Sequence, residues 1–236
     1  MRNRRYAVPF DPEFFARRSA AGEDVSPLAA FRHAYATNHW AGLESPSGFG
    51  ASLNQTAAVR RALPPLCQRL GIGTLLDLPC GDCSWISTID LGDVRYIGAD
   101  FLPELVEANE RRYAHSGGDF RVLDLLSSLL PAADLVLCRD CLVHLSFADI
   151  ARAISSLRAS RGTYLLTTTF PGQPVNEDVV TGDWRPLNLE AAPFLWPPPC
   201  EVLVEGCTEA NGLFADKSLG LWRIDALPEP APSAPR

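Results

Sequence analysis

Residues 75–85, which read LLDLPCGDCSW, constrain the fold of this chain more than any other segment. An apolar run ends at Asp77 and passes directly into a Pro-Cys-Gly-Asp turn. In doubly wound α/β proteins such a turn follows the first strand and lets the backbone approach a ligand at the carboxyl edge of a parallel sheet. Cys80 and Cys83 lie in the same turn, so a CxxC metal or redox site is the alternative interpretation.

Apolar runs and helical patterns alternate along the chain. Residues 55–70 carry an apolar stripe at a spacing of four, Pro103 can begin a second helix, and Ser146 can cap a third. Strand-like runs occupy residues 74–78, 94–99, 120–123, 134–138 and 164–168, and two more occupy residues 201–205 and 218–224. This order predicts βαβ units and a mostly parallel sheet.

Three regions of the chain differ in composition. Residues 1–37 carry arginines and phenylalanines without a strand pattern and predict a helical arm. Residues 38–226 predict the main domain, and the Pro-rich residues 227–236 predict a disordered tail. A basic, aromatic arm could contact a membrane or a polyanion, but we favour helices packed across an edge of the main domain.

The overall charge and hydropathy exclude several classes of protein. A net charge of -7 opposes a nucleic-acid surface, because such surfaces neutralise phosphates with lysines and arginines. No apolar run approaches the roughly 20 residues needed to span a bilayer. The Arg-rich start lacks the apolar stretch of a signal peptide, so we expect a cytoplasmic protein whose seven cysteines are thiols.

Acidic residues end the first three predicted strands. Asp100 follows Gly81 by nineteen residues, which is the spacing at which a carboxylate accepts hydrogen bonds from both ribose hydroxyls of an adenosine. Asp124 ends the third strand, where it can accept from an adenine amino group while Leu125 covers the base. With Asp77, these residues predict one acidic cleft that binds a nucleoside.

The charge of this cleft bears on the choice of cofactor. Asp77 and Asp82 would repel the pyrophosphate of a dinucleotide, whereas they favour the sulfonium of S-adenosylmethionine. Pro79 and Cys83 also occupy two positions where a dinucleotide-binding turn has glycine. S-adenosylmethionine is therefore the predicted cofactor, and NAD is the alternative.

The order of LLDLPCGD, YIGAD, FRVLDL and DLVLCRDCLVHLS resembles that of class I S-adenosylmethionine-dependent methyltransferases over residues 75–170. The PCGD turn followed by Trp85, together with WAGLESPSGFGAS and TGDWRPLNL, is similar to one bacterial subgroup of them. The resemblance implies a Rossmann-like seven-stranded sheet, mostly parallel with one antiparallel edge strand and with helices on both faces.

The same resemblance implies which residues form the site. The cofactor would contact Gln55, Asp77, Pro79, Gly81, Asp82, Trp85, Asp100, Phe101, Asp124, Leu125 and Arg139. The substrate would contact Trp40, Asp140, Trp184, Arg185 and Asn188. Trp184, Arg185 and Asn188 lie in a long loop and offer an apolar wall, a cation and an amide to a substrate. The alternative is that this loop packs internally and contacts no substrate.

His144 is the predicted catalytic base. It follows the fourth strand, where related methyltransferases place residues that face the acceptor, and an imidazole of ordinary pKa is largely neutral near pH 7. A capping or packing role is the alternative.

A metal site is not expected, although Cys80 with Cys83 and Cys138 with Cys141 form two CxxC pairs. The pairs are far apart in sequence and lack the knuckle turns of a zinc ribbon.

The function predicted from the sequence is methyl transfer from S-adenosylmethionine to a small-molecule or glycan acceptor, with oxygen favoured because a base is present. A methyltransferase-fold binding or sensor protein without turnover is the first alternative, and an NAD-dependent oxidoreductase is the second. Neither nucleic acid nor membrane is an expected partner.

Overall fold

The computed structural model describes residues 8–113 and 118–229. The helices are α1 Phe14–Ala20, α2 Pro27–Thr37, α3 Ala57–Leu70, α4 Pro103–Tyr113 and α5 Phe147–Ala159. The strands are β1 Thr74–Asp77, β2 Arg95–Asp100, β3 Asp119–Val122, β4 Leu135–Cys138, β5 Tyr164–Thr169, β6 Glu201–Val204 and β7 Ser218–Arg223. Each predicted strand is present, with ends within one residue of those expected from the sequence.

All seven strands belong to one sheet, in the order β3-β2-β1-β4-β5-β7-β6. Strands β1 to β5 are parallel, and β7 pairs antiparallel with both β5 and β6. The mostly parallel sheet is confirmed, and its antiparallel strand lies one place in from the edge strand β6. Strand order reverses at β1, between β2 and β4, which is where open α/β sheets leave a crevice for a ligand.

Helices cover both faces of the sheet. Strand β4 is buried along its whole length, because its apolar residues, LVLC, pack on both faces, as is typical of central parallel strands. One face packs against α5 through Ile150, Ile154 and Leu157, and the other packs against α3 through Leu63 and Leu66. The side chain of Ser146 accepts from the backbone N–H of Asp149, which confirms Ser146 as the cap of α5.

The predicted arm contains α1 and α2, which lie over the carboxyl edge of the sheet. The carboxylate of Asp183 accepts the backbone N–H groups of Phe15 (2.7 Å) and Ala16 (2.9 Å), so α1 is tied to the long loop after β5. Arg2, Arg4 and Arg5 of the arm lie outside the described residues.

The predicted tail begins inside the folded body. Leu227 is buried, and its carbonyl oxygen accepts from Arg158 of α5. Residues 230–236 of the predicted tail lie outside the described part of the chain. Within the described part, no helix combines the length and apolarity needed to cross a bilayer.

Candidate active site

Two adjoining cavities lie at the carboxyl edge of the sheet. The first cavity, about 1170 Å³ counted to its open mouth, is lined by ten of the eleven predicted cofactor residues, all but Gln55. The second cavity, about 550 Å³ counted in the same way, is lined by Trp184 and by residues of the arm and of the β6–β7 region. Trp40, Ser47, Asp140 and His144 line both cavities and therefore mark the junction.

The turn after β1 is held on three sides. The backbone N–H of Cys80 donates to the carbonyl of Ala99 (2.8 Å), and Asn109 of α4 donates to the carbonyl of Gly81 (2.7 Å). Gly81 has a φ of 56°, and a Cβ there would lie 2.6 Å from Ser47 Oγ. Both the backbone conformation and the close approach of the loop around Ser47 therefore require glycine.

Two buried carboxyl groups line the first cavity, and neither forms an ion pair with a described residue. Burial raises the pKa of Asp77 to about 7, although the hydrogen bond from Tyr96 (2.8 Å) opposes this rise and the charge of Asp100 adds to it. Burial likewise raises the pKa of Asp100 to about 6, against backbone hydrogen bonds such as that from Leu102. A ligand with cationic groups would lower both pKa values, whereas a pyrophosphate would raise them.

The third acidic strand end, Asp124, also lines the first cavity. Its Oδ1 accepts from the backbone N–H of Leu126 (2.8 Å) and its Oδ2 accepts from Ser127 Oγ (2.5 Å). A carboxylate oxygen can accept more than one hydrogen bond, so Asp124 can still accept from the amino group of a bound ligand. Leu125 is buried beside it and lines the same cavity.

A closed cluster of four charges follows β4. Arg139 donates to both carboxylate oxygens of Glu205 (3.0 and 2.7 Å) and to the carbonyl of Gly50 (2.9 Å). Asp140 Oδ2 lies 3.1 Å from Arg139 Nη1 and 2.7 Å from Nζ of Lys217, the only lysine in the chain. Burial would raise the pKa of Asp140, but the two cations hold it well below its usual range. The two formal positive charges of the cluster balance its two formal negative charges.

His144 is buried in the wall between the two cavities. Its Nδ1 lies 3.0 Å from the carbonyl oxygen of Asp183, and since a carbonyl only accepts, Nδ1 carries the proton and Nε2 carries the lone pair. Burial lowers the pKa of His144 to about 4, against the opposing effect of the nearby Asp140 charge. The ring is therefore neutral throughout the physiological pH range, and its centroid lies 4.9 Å from that of Trp40.

The predicted substrate residue Arg185 lies away from both cavities. It is fully buried, and its guanidinium donates to the carbonyls of Leu142 (2.8 Å), Leu145 (2.6 Å) and Glu177 (3.1 Å). It thus donates to carbonyl groups in and beside the short turn Leu142–His144. The physical reason for the difference is that a buried guanidinium with five donors is suited to bridging orphan carbonyls.

Two further predicted contacts also have internal partners. The amide of Asn188 donates to the carbonyls of Pro171 (3.2 Å) and Gln173 (3.0 Å), and so holds the long loop after β5. Gln55 Nε2 donates to Thr208 Oγ1 (2.8 Å), and Gln55 Oε1 accepts from the backbone of Thr208. Neither side chain lines either of the two cavities, and for Asn188 this matches the internally packed alternative for the long loop.

The structure adds site residues that sequence patterns did not single out. Phe31 and Tyr35 of α2 form part of the first cavity, and Glu209 and Lys217 form part of the second. Lys217 was visible as the only lysine, yet its role depends on pairing with Asp140, which is 77 residues away.

The cysteine pairs pack in the protein interior. Cys83 Sγ lies 3.5 Å from the hydroxyl of Tyr96, and all seven cysteines are free thiols. Hydrogen bonding to Cys83 and burial raise the pKa of Cys80, and the same two causes, with Cys138 as partner, raise that of Cys141. Across residues 8–113 and 118–229, no group of three or more His, Cys, Asp or Glu side chains is arranged to hold a metal ion.

Comparisons with known proteins give structural likeness only. No family model matches the chain, and no curated protein matches it either. The N-methyltransferase NodS from Bradyrhizobium japonicum WM9, solved with S-adenosyl-L-homocysteine, is 16% identical over 62% of this chain and 74% of that chain, with a TM-score of 0.45.

Two further solved structures are similar at the same level. Magnesium protoporphyrin IX methyltransferase (ChlM) from Synechocystis PCC 6803 is 17% identical over 51% of this chain, with a TM-score of 0.40. A possible exported protein from Bordetella parapertussis is 18% identical over 49% of this chain, with a TM-score of 0.39. The matches span 59% and 43% of the lengths of these two proteins.

The class of fold follows from the sheet itself. A mostly parallel seven-stranded sheet with β7 inserted antiparallel between β5 and β6 is the Rossmann-like methyltransferase fold. The first cavity lies at the carboxyl edge of the sheet beside β1, where the strand order reverses.

Proposed function

We propose that this protein transfers a methyl group from S-adenosylmethionine to an oxygen of a small-molecule or glycan acceptor. One observation carries the proposal: a cavity over the acidic ends of β1, β2 and β3 adjoins a second cavity, and His144 and Asp140 line both of them. A transfer reaction needs two binding sites that meet at the reacting atoms, and these residues line both cavities where they adjoin.

The residues of the first cavity fit S-adenosylmethionine. The carboxylate of Asp100 would accept from the ribose hydroxyls, and Asp124 with Leu125 would hold the adenine. Asp77, with a raised pKa, favours a ligand that brings cationic groups. Arg139, the cationic side chain that lines the first cavity, is already paired with Glu205, so little positive charge is left to bind the pyrophosphate of NAD.

The chemistry divides between cofactor and protein. S-adenosylmethionine supplies a methyl group already activated by its sulfonium, so the protein has to position the acceptor and take up its proton. His144 Nε2 is the acceptor of that proton, because the Asp183 carbonyl keeps the proton of the neutral ring on Nδ1. The ionised Asp140 beside it would stabilise the resulting imidazolium.

Calorimetry with S-adenosylmethionine, S-adenosylhomocysteine and NAD tests the proposed cofactor. The first two should bind to the wild-type protein and lose most of their affinity in Asp100→Ala. Asp225→Ala is the matched control, since Asp225 is exposed and pairs with Arg223 away from both cavities. Tight binding of NAD without binding of S-adenosylmethionine would refute the proposal.

Transfer itself needs a separate measurement. A panel of hydroxylated acceptors incubated with cofactor carrying a labelled methyl group should yield a labelled product, and His144→Ala should reduce its formation without weakening cofactor binding. Cofactor binding with no labelled product from any member of the panel would favour the sensor alternative.

A further inference from the structure

The second cavity has a nearly continuous aromatic wall. The centroid of the Trp184 ring lies 5.1 Å from that of Phe214, 6.2 Å from that of Phe170 and 6.5 Å from that of Phe10. Phe49 and Trp40 add two more rings from the loop after α2. Aromatic faces attract cations as well as flat apolar groups, so this wall suits a ligand that combines the two.

Three charged side chains line the same cavity, and two of them pair with each other. A methyl group on Gly50 would lie 3.2 Å from Asp140 Oδ2, 3.2 Å from Lys217 Nζ and 3.3 Å from Glu209 Oε1, so these three atoms surround one point. Asp140 and Lys217 pair with each other at 2.7 Å and belong to the neutral cluster described above. Glu209 stands outside that balance.

The carboxylate of Glu209 has only a weak hydrogen-bond donor to stabilise its negative charge. Its hydrogen-bond partner is the thiol of Cys207 (3.6 Å), which is a poor donor. Among the residues that the structure describes, no lysine or arginine lies within ion-pair distance of it. Burial raises the pKa of Glu209, and the charges of Lys217 and Arg139 oppose this rise without cancelling it.

Trp40 supplies a second feature that points to a ligand. Its indole Nε1 is buried and has no hydrogen-bond partner in the described part of the protein, although its side chain lines both cavities. A buried N–H without an acceptor destabilises the protein, and an oxygen of a bound molecule at the junction would supply the missing acceptor.

We propose that the second cavity binds an acceptor with a basic nitrogen at one end and a flat apolar body. The ammonium group pairs with Glu209 and lies against the aromatic wall, and the oxygen to be methylated lies at the junction beside His144 and Trp40. This inference rests on the proposed methyl transfer and adds the chemical class of its acceptor. An anionic acceptor is disfavoured because the Lys217 ammonium already lies between Asp140 (2.7 Å) and Glu205 (3.6 Å).

Three phenols with the same two-carbon side chain test this inference: tyramine ends in an ammonium group, 4-ethylphenol has no terminal group, and 3-(4-hydroxyphenyl)propionate ends in a carboxylate. Their binding is measured by quenching of tryptophan fluorescence in the presence of saturating S-adenosylhomocysteine, which allows no turnover. Tyramine should bind about tenfold more tightly than 4-ethylphenol, and the carboxylate probe should bind most weakly. Equal affinities, or tightest binding of the carboxylate, would overturn the inference.

Glu209→Gln shows whether the preference comes from this residue. The variant should lose the tenfold advantage of tyramine and keep the affinity for 4-ethylphenol. Glu201→Gln is the control, because Glu201 is exposed and pairs with Arg69 outside the cavity. A preference for tyramine that survives in Glu209→Gln would remove Glu209 from the inference and refute it.

Calorimetry with S-adenosylhomocysteine separates this inference from the proposed function. If the wild-type protein does not bind S-adenosylhomocysteine, the proposed function itself fails. If it binds and the probes show no dependence on charge, only the assignment of a basic acceptor fails. Unchanged affinity for S-adenosylhomocysteine in Glu209→Gln shows that the variant is folded.

Discussion

Binding of S-adenosylmethionine should release protons from the first cavity, because its sulfonium and ammonium groups favour the ionised forms of Asp77 and Asp100. With pKa values of about 7 and about 6, these groups together hold roughly 0.6 proton at pH 7. The same values give roughly 1.4 protons at pH 6 and roughly 0.1 at pH 8. Release should therefore increase as the pH falls, if binding returns both groups to their ordinary pKa values.

Calorimetry in buffers of different ionisation enthalpy measures this release directly. The slope of the observed binding enthalpy against the buffer ionisation enthalpy gives the number of protons exchanged at each pH. The amino group of the cofactor titrates as well, so the Asp77→Asn variant provides the baseline. In that variant the contribution of the cavity at pH 7 should fall from roughly 0.6 to roughly 0.1 proton, which is the share of Asp100.

Two results would refute this reasoning. One is proton uptake, or a release that grows as the pH rises. The other is the same release at pH 7 in the wild type and in Asp77→Asn, which would show that Asp77 is already ionised before the cofactor binds. S-adenosylhomocysteine, which lacks the sulfonium charge, should release fewer protons than S-adenosylmethionine.

Three other predictions follow from the geometry of the site. Gly81→Ala should weaken cofactor binding, measured by calorimetry, at least tenfold, since its Cβ would lie 2.6 Å from Ser47 Oγ at a φ of 56°. Adding Ser47→Gly to the same chain should restore part of the lost affinity. If it restores none, the backbone strain at residue 81 alone causes the loss. His144→Ala should lower kcat by roughly 10²–10⁴-fold with an unchanged cofactor Kd. In the wild type, the acid limb of the plot of kcat against pH should lie near pH 4, because the imidazole is protonated only below its lowered pKa. An acid limb near pH 6.5 would contradict the buried environment of His144. Arg185→Ala should destabilise the protein by about 1–3 kcal/mol in urea denaturation, because it removes the side-chain donor to the buried carbonyls of Leu142 and Leu145. An unchanged denaturation midpoint would argue against its structural role.

The sequence predicted the sheet and the first cavity well, for a local reason. Short runs rich in Val, Leu, Ile, Thr and Tyr mark most of the strands, and residues at the carboxyl ends of parallel strands meet at one edge. Asp77, Asp100 and Asp124 could therefore be placed together from their positions at strand ends alone. His144 could be placed near them for the same reason, because it follows β4, the neighbour of β1.

The sequence could not assign the roles of loop residues. In the segment TGDWRPLNL, Trp184 lines a cavity while Arg185 and Asn188 hold backbone carbonyls. These residues have no strand or helix period that fixes the direction of their side chains. Which of them reaches the cavity depends on how the loop after β5 packs on the turn around His144.

The amino-acid sequence by itself thus determined the order of the elements, the seven strands and the acidic edge of the sheet, because each depends on periodicity and on residues at strand ends. Only the tertiary structure decided the second cavity and its charge. Glu209, Lys217 and Phe10 line this cavity from segments up to about 200 residues apart, and the hydrogen bonds of Asp183 to α1 tie the arm to the long loop after β5. Long-range packing of loops on a finished sheet brings such groups together, and no local pattern encodes it.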